Sequence, residues 1–370
     1  MDAVAVLTET VAMCRARAAD DPVHLPDLAT ALHSLGIAYH QGGRHMDAVE
    51  QTEQALATWR RLPADNAGHR LNLASTLSDL GAIYGLAGRY ADAIDPTEEA
   101  VALCRNLAAE NPVFTADLAG ALTNLGGLYR SVGRRDEAVV VAEEVVTLYR
   151  ALSAQDPVHL PDLATALNDL GIEYGDAARH VDAIGPAEEA VQLRRTQAAQ
   201  NADHLPDLAA ALTNLANRCQ GIGRRADALA AAEESVTIYR RLVKRNPVHL
   251  GNFGTALSNL GNAHGAVGRR VEAVAMNEEA AKIFRRLAAG DSAHLPDLAM
   301  ALNNLGLHLG ETGRHADAAG LLEEAATIYR QLAADNPAYQ QNLTAALASL
   351  ARSQQSSDVQ PAKKRFWRRE

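Results

Sequence analysis

The sequence predicts an all-α array of stacked, antiparallel helix pairs. A repeat of 45 residues runs through the chain without an insertion, and it is marked by a leucine in every copy: Leu32, Leu77, Leu122, Leu167, Leu212, Leu257, Leu302 and Leu347. A second leucine column, from Leu35 to Leu350, follows three residues later in each copy. Within a copy, apolar residues recur every three or four positions, which is the spacing of one helix face. A fixed period of this length indicates stacked supersecondary units and not a globular enzyme core.

Each copy contains signals for two helices. In the first full copy, helix A is predicted at about 26–41, where Pro26 and Asp27 suit a first helical turn. The Gly42-Gly43 pair ends it, since glycine adopts the left-handed conformation common after a helix. Helix B is predicted at about 45–64. Pro96 and Pro186 are expected to bend the second helices of their copies or to delay their start.

The same pattern, extended to both ends, predicts about 16 helices. A half repeat at 1–24 aligns with helix B, seven full repeats cover about 25–339, and a final helix A covers about 342–354. The array therefore occupies 1–355, and a basic, disordered tail is predicted at 356–370. Polar residues in the first and last helices fit capping units. A rival interpretation is that the chain is a fragment of a larger multidomain protein.

The residues of one copy resemble the tetratricopeptide repeat. That family's pattern has Leu-Gly, a Tyr three residues later and an Ala opening the second helix, and this chain has Leu35-Gly36, Tyr39 and Ala48. The period is longer than the family's usual 34 residues, as in the arrays of kinesin light chains, nephrocystin-like proteins and bacterial signalling proteins. The resemblance implies a right-handed α-solenoid, a superhelix whose A helices line a concave groove. It also implies protein or peptide partners.

Composition excludes several other classes of protein. A formal net charge of −10 without a basic face argues against nucleic-acid binding. The chain has neither a long apolar stretch nor a signal-peptide pattern, so a cytoplasmic protein without an integral membrane segment is expected. Three cysteines cannot form a disulfide framework. No catalytic triad, phosphate loop or metal cluster recurs, so we predict no enzymatic activity, cofactor or metal.

Charged residues that recur in every copy are interpreted as architecture. Arginine occupies every A–B turn (Arg44, Arg89, Arg134, Arg179, Arg224, Arg269 and Arg314), and a second arginine recurs in every helix B. A histidine precedes helix A in six copies (His24, His69, His159, His204, His249 and His294). Residues serving one ligand would not recur in all copies, so helix-end pairing and ladders between copies are expected. The histidines lie about one helix diameter apart, too far to share a metal ion.

Partner-binding residues are predicted on the A helices, at positions that adjoin the leucine face. The resemblance places such positions in the concave groove. The candidates are Asn124, Asp169, Asn214, Asn217, Arg218, Asn259, Asn262, Asn303 and Asn304. Asparagine offers both a donor and an acceptor, so a ladder of amides can bind the backbone of an extended peptide. The alternative is that these amides bond to the next repeat.

The sequence therefore predicts a non-enzymatic scaffold or adaptor that binds a protein or peptide. Two alternatives stay open: a sensor array that clamps a signalling peptide, and a structural array that self-assembles through its ends. The segment KKRFWRRE at 363–370 carries five positive charges in eight residues. It is interpreted as a disordered solubilising end, a motif for a partner or membrane surface, or a segment that docks on the acidic body.

Overall fold

Sixteen α-helices follow one another in the computed structural model, which describes residues 3–366 and the side chains of that range except those of 335 and 357–366. The helices are α1 (Ala3–Asp20), α2 (Leu25–Gln41), α3 (His45–Trp59), α4 (Ala67–Leu86), α5 (Tyr90–Glu110), α6 (Thr115–Ser131), α7 (Arg135–Gln155), α8 (Leu160–Asp176), α9 (Ile184–Gln200), α10 (Leu205–Gly221), α11 (Arg225–Arg245), α12 (Leu250–Ala266), α13 (Arg270–Ala288), α14 (Leu295–Glu311), α15 (His315–Asp335) and α16 (Gln340–Phe366). Even-numbered helices are the predicted A helices, and odd-numbered helices are the B helices. The all-α prediction and the predicted number of helices are confirmed.

The helices belong to two units, Met1–Pro186 and Ala187–Glu370. In the first unit each helix from α1 to α7 packs on the next one in sequence, and α4 also contacts both α2 and α6. The second unit repeats this plan from α10 to α16. Within each unit, contacts are therefore made between neighbours along the chain, as in other repeat arrays.

The leucine columns form the core of both units. Leu77 and Leu167 in the first unit, and Leu257 and Leu302 in the second, are at most 1% exposed. Leu347 in α16 is the exception at 40% exposure. Burying these side chains contributes about 2 kcal/mol each to folding, so the columns account for why the copies stack.

Most A helices are preceded by a short 3-10 turn that the sequence did not predict. Before α2 the turn is Pro22–His24, and the carboxylate of Asp21 accepts a hydrogen bond from the backbone N of Val23 at 2.9 Å. This bond satisfies a donor that has no partner within the turn. In copy two the helix itself begins after the cap: Oδ1 of Asn66 accepts a hydrogen bond from the backbone N of His69 in the first turn of α4. The Asp or Asn that follows each helix B is therefore the cap of the next element.

Glycine in the left-handed conformation ends the A helices, as predicted. Six glycines have φ between +73° and +81°, and they are Gly43, Gly88, Gly133, Gly223, Gly268 and Gly313. In copy four this position is Ala178, which has φ +60° and is the one non-glycine residue with positive φ among residues 3–366. An alanine here carries a backbone strain that the glycines avoid.

Three helix bounds differ from the predictions. Helix α3 ends at Trp59 and not near 64, because Pro63 disfavours helical geometry in the residue before it. Helix α9 begins only at Ile184, since Pro186 needs a position in the first turn, whereas Pro96 lies inside α5 without delaying its start. Helix α16 continues to Phe366 beyond the predicted 354. The basic segment at 363–370 lies outside the described side chains, and the disordered tail stays a prediction.

Candidate functional site

Arginines of the A–B turns pair with a glutamate of the preceding helix B at Arg134, Arg179, Arg224 and Arg269. In copy three, Nε of Arg134 donates to Glu137 at 3.1 Å, and its guanidinium lies 4.1 Å from the centre of the Tyr129 ring. The hydroxyl of Tyr129 in turn donates to Glu98 of the preceding helix B at 2.7 Å, and burial together with this bond raises the pKa of Tyr129. The same arrangement recurs around Tyr84 and Tyr174. These arginines are therefore part of the scaffold, as predicted.

The second arginine column forms a ladder between successive B helices. The guanidinium pairs with a glutamate of the next copy at 2.6–2.9 Å in the pairs Arg60 with Glu99, Arg105 with Glu144, Arg195 with Glu234, Arg240 with Glu279, and Arg285 with Glu324. In the first helix, Arg15 donates to Gln54 instead, at 2.9 Å. The side chains of the arginine–glutamate pairs are about half exposed. Such exposed pairs add little stability.

Histidines that precede an A helix lie close to an aspartate in the first turn of that helix at His24, His159, His204 and His294. Nδ1 of His24 lies 3.5 Å from Asp27, and Nδ1 of His159 lies 3.4 Å from Asp162. Among the side chains that the structure describes, no three from histidine, cysteine or acidic residues are placed to hold a metal ion. The histidine column therefore belongs to the helix starts.

The cysteines lie among packed side chains. Cys104 and Cys219 are buried, and burial raises the pKa of the Cys104 thiol to about 11 and also raises that of Cys219. Cys14 is only half-buried. A thiol with a raised pKa holds little thiolate near neutral pH, so Cys104 and Cys219 are poor nucleophiles.

In the first unit, the two predicted partner-binding residues lie in different surroundings. Asn124 on α6 is exposed. Asp169 on α8 is half-buried and lines a cavity between α6 and α8. The column they share is also used for contacts between copies, because Oδ2 of Asp79 accepts a hydrogen bond from Nε2 of His33 at 2.7 Å.

In the second unit, the other predicted residues lie on three successive A helices, α10, α12 and α14, which contact one another in that order. We call this set the amide face: Asn214, Asn217, Arg218, Asn259, Asn262, Asn303 and Asn304. Asn217 is exposed and the others are half-buried. The set therefore forms part of a surface and does not lie in the core.

Three polar atoms of the amide face are buried without a hydrogen-bond partner. They are Nε of Arg218, Nδ2 of Asn259 and Oδ1 of Asn303, one on each of the three helices. A buried polar atom that lacks a partner costs about 1–3 kcal/mol. In folded proteins such atoms are rare, and each one needs a physical reason.

The alternative interpretation of the amides holds for at least one member of the face. Oδ1 of Asn262 accepts a hydrogen bond from Nε2 of His308 on the next helix A at 3.3 Å. His308 was not among the predicted residues. At least one amide is therefore used to connect copy six to copy seven.

A charged pair between copies three and four was not predicted from the repeat pattern. Nη1 of Arg130 donates to Oε1 of Glu173 at 2.9 Å, and the Glu173 side chain is only 6% exposed. Burial raises the pKa of Glu173, and the nearby Arg130 opposes that rise. The signal was present in the sequence, because the corresponding residues of the first three copies are Ala38, Ile83 and Leu128.

No helix in the described part of the chain has the length and apolar character needed to span a membrane. Among curated proteins, none matches the chain.

Several solved structures have a similar fold. BtubC (BKLC) from P. vanneervenii is 20% identical, with 66% of this chain and 91% of that chain covered and a TM-score of 0.54. Aspartyl phosphate phosphatase F from Bacillus subtilis is 12% identical over 92% of this chain and 73% of that chain, with a TM-score of 0.53. A signal transduction ATPase with numerous domains and a tetratricopeptide repeat sensor, from Pyrococcus horikoshii, is 15% identical over 83% and 44%, with a TM-score of 0.53. At these identities the similarity concerns the fold alone.

Family models described as tetratricopeptide repeat match four segments of the chain. One model matches residues 27–106 and 252–331, and a second matches 118–158 and 208–249. Together the segments cover about two-thirds of the 370 residues. The matched segments include helix pairs of both units. The chain therefore belongs to the tetratricopeptide repeat family.

Proposed function

We propose that this protein is a non-enzymatic, cytoplasmic scaffold or adaptor that binds a protein or an extended peptide on the amide face of its second unit. Membership of the tetratricopeptide repeat family supports a protein partner, because arrays of this kind typically bind proteins. The amide face is where this chain departs from its own repeat, since copies five and six carry paired asparagines that the earlier copies lack.

The observation that carries the proposal is the set of unpartnered atoms on Arg218, Asn259 and Asn303. They include donors and an acceptor. Because the three atoms are buried, their half-buried side chains must turn outward, and an extended backbone that passes over α10, α12 and α14 then supplies both kinds of partner. Bonds to the backbone select little among side chains, which suits a partner recognised in an extended conformation. The face carries a single charge, that of Arg218, and it contains no aromatic side chain for stacking on a nucleobase.

The test compares the wild type with the double variant Asn214→Ala/Asn259→Ala. Affinity purification from the source cell identifies bound proteins, and titration with peptides derived from them gives the dissociation constants. We expect the double variant to bind roughly tenfold or more weakly, since each lost hydrogen bond is worth about 1 kcal/mol.

The matched control is Gln331→Ala, which removes an exposed amide from α15 and leaves the amide face intact. Circular dichroism should show unchanged helix content in both variants. If the double variant binds the partner peptide as tightly as the wild type, the amide face is the wrong surface and the proposal fails.

A further inference from the structure

A cavity of about 120 Å³ lies in the first unit between α6 and α8, with α7 behind it. Its floor includes Val141, Ala142 and Val145 of α7, and its polar lining includes Arg130, Asp169 and Glu173. It is distinct from the amide face, which lies in the second unit.

Small residues on facing helices line this cavity, where copies one and two have a larger side chain. In copies one and two, a glycine of helix A packs against a buried threonine of helix B: a methyl group at Gly36 would overlap Thr52, and one at Gly81 would overlap Thr97. Copy three keeps the glycine, Gly126, but has Ala142 in place of the threonine. A methyl group at Gly126 would meet only Cγ1 of Val141, at 3.6 Å.

A further feature of copy three keeps this space open. Gly127 also lines the cavity, at a position where copies one and four have Ile37 and Ile172. The space is therefore bounded by three helices, and a small group can occupy it without unfolding the array.

The polar lining carries more negative than positive charge. Glu173 is almost fully buried, at a position that holds an apolar residue in the first three copies, and its described hydrogen bond is the single one from Arg130. Arg130 itself is 43% exposed. Asp169 adds a second carboxylate to the lining, and Asp176 lies near enough to raise the pKa of Glu173 further. Two carboxylates against one guanidinium favour a cation.

We propose that this cavity binds an ammonium group that carries a short aliphatic chain. The ammonium has three donors for the carboxylates of Glu173 and Asp169, and such charge-assisted bonds are stronger than bonds between neutral groups. The alkyl chain lies on Val141, Ala142 and Val145, where it fills a space large enough for a few water molecules. The group can come from a free amine or from the lysine side chain of a peptide.

The experiment titrates the full chain with n-butylamine and, as its uncharged counterpart, with n-butanol. Shifts of the methyl resonances of Val141 and Val145 report binding at the floor of the cavity. A second arm compares Nα-acetyl-lysine amide with Nα-acetyl-norleucine amide, which distinguishes a lysine side chain from a free amine. For ligands this small we expect dissociation constants of roughly millimolar order for the cations, and no saturable shift for the neutral compounds.

Two variants and a control test the two parts of the site. Glu173→Gln keeps the shape of the side chain and removes its charge, and it should weaken binding of the cation roughly tenfold or more. Ala142→Thr restores the threonine of copies one and two, which the fold already accommodates, and it should abolish binding by filling the floor. Glu144→Gln, on the ladder of B helices outside the cavity, should leave binding unchanged.

Saturable binding of n-butylamine or of the lysine compound, lost in Ala142→Thr, supports the proposal and identifies the source of the ammonium. Equal binding of n-butanol would overturn it, because the cavity would then select only for apolar groups. The absence of any cation binding would also overturn it. The second unit has no part in these titrations, so their failure would leave the proposed peptide-binding function untouched.

Discussion

A methyl group added at Gly81 should destabilise copy two, and the cost can be worked out from its contacts. Built on Gly81, the group overlaps Oγ1 of Thr97 and lies 3.2 Å from the carbonyl oxygen of Ala93. Thr97 is fully buried, and its hydroxyl donates to that same carbonyl at 2.8 Å. The threonine therefore cannot move aside without losing a hydrogen bond.

Three terms give the expected size of the effect. Overpacking costs about 1–3 kcal/mol, and the lost hydrogen bond costs about 1 kcal/mol. Replacing glycine by alanine inside a helix returns about 1 kcal/mol. The Gly81→Ala variant should therefore be less stable by about 2 kcal/mol, which corresponds to roughly thirtyfold faster hydrogen exchange in α4 and α5.

The assay is hydrogen exchange measured by mass spectrometry on peptides that cover single helices. The double variant Gly81→Ala/Thr97→Ala removes the overlap. It places two alanines where copy five has Ala216 and Ala232. The hydrogen-exchange rate of this variant should therefore return to within about fivefold of the wild-type rate. As matched control, Gly126→Ala adds the same methyl group where space is open, and exchange in α6 should slow by about fivefold. Equal destabilisation by both single variants would refute the reasoning.

Three other predictions test the strain, burial and charge described above. Ala178→Gly should raise the free energy of unfolding, measured by chemical denaturation, by about 0.5–1 kcal/mol, because it relieves the strain at φ +60°. Gly133→Ala should lower the same free energy by about 1 kcal/mol, and a loss in both variants would contradict the strain at Ala178. Burial lowers the pKa of His264 below 6.5, so the unfolded chain binds the proton more readily and stability falls as the pH drops below 6.5. Melting temperatures at pH 7.5 and 5.5 should therefore differ less for His264→Leu than for the wild type, and an equal difference would exclude this cause. Arg105→Gln should change the free energy of unfolding by less than about 1 kcal/mol, because the Arg105 side chain is 54% exposed and that of its partner Glu144 is 35% exposed; a larger loss would show that the ladder stabilises the array.

The number of helices and most of their bounds followed from the sequence, because each copy folds on its neighbours through a local pattern. Leucine spacing defines the buried face, and proline and glycine mark the ends of the helices. Where a single residue departs from the pattern, the bounds move: Pro63 shortens α3, and Pro186 delays α9. The 3-10 turns were missed because Asp21 and its equivalents have two roles: each marks the end of a B helix and also caps the next element, and the sequence pattern indicates only the first role.

Residues that recur in every copy could be predicted as structural, whereas the partner-binding residues could not be predicted with the same success. Arginines present in every copy pair as expected, since repetition reflects the geometry that all copies share. The partner-binding residues remain a proposal, because the same amide can serve a ligand or the next repeat, and Asn262 does the latter. The sequence pattern does not distinguish these two uses.

The sequence by itself determined the repeat, the helix pairs, the stacking of their leucine faces and membership of the tetratricopeptide repeat family. The tertiary structure alone decided which side chains meet across copies. It brings Arg130 to Glu173, and it leaves an open space where Gly126 faces Ala142. The physical reason is that a cavity and a salt bridge depend on pairs of residues from different helices. A repeat pattern describes each position separately and leaves such pairs undefined.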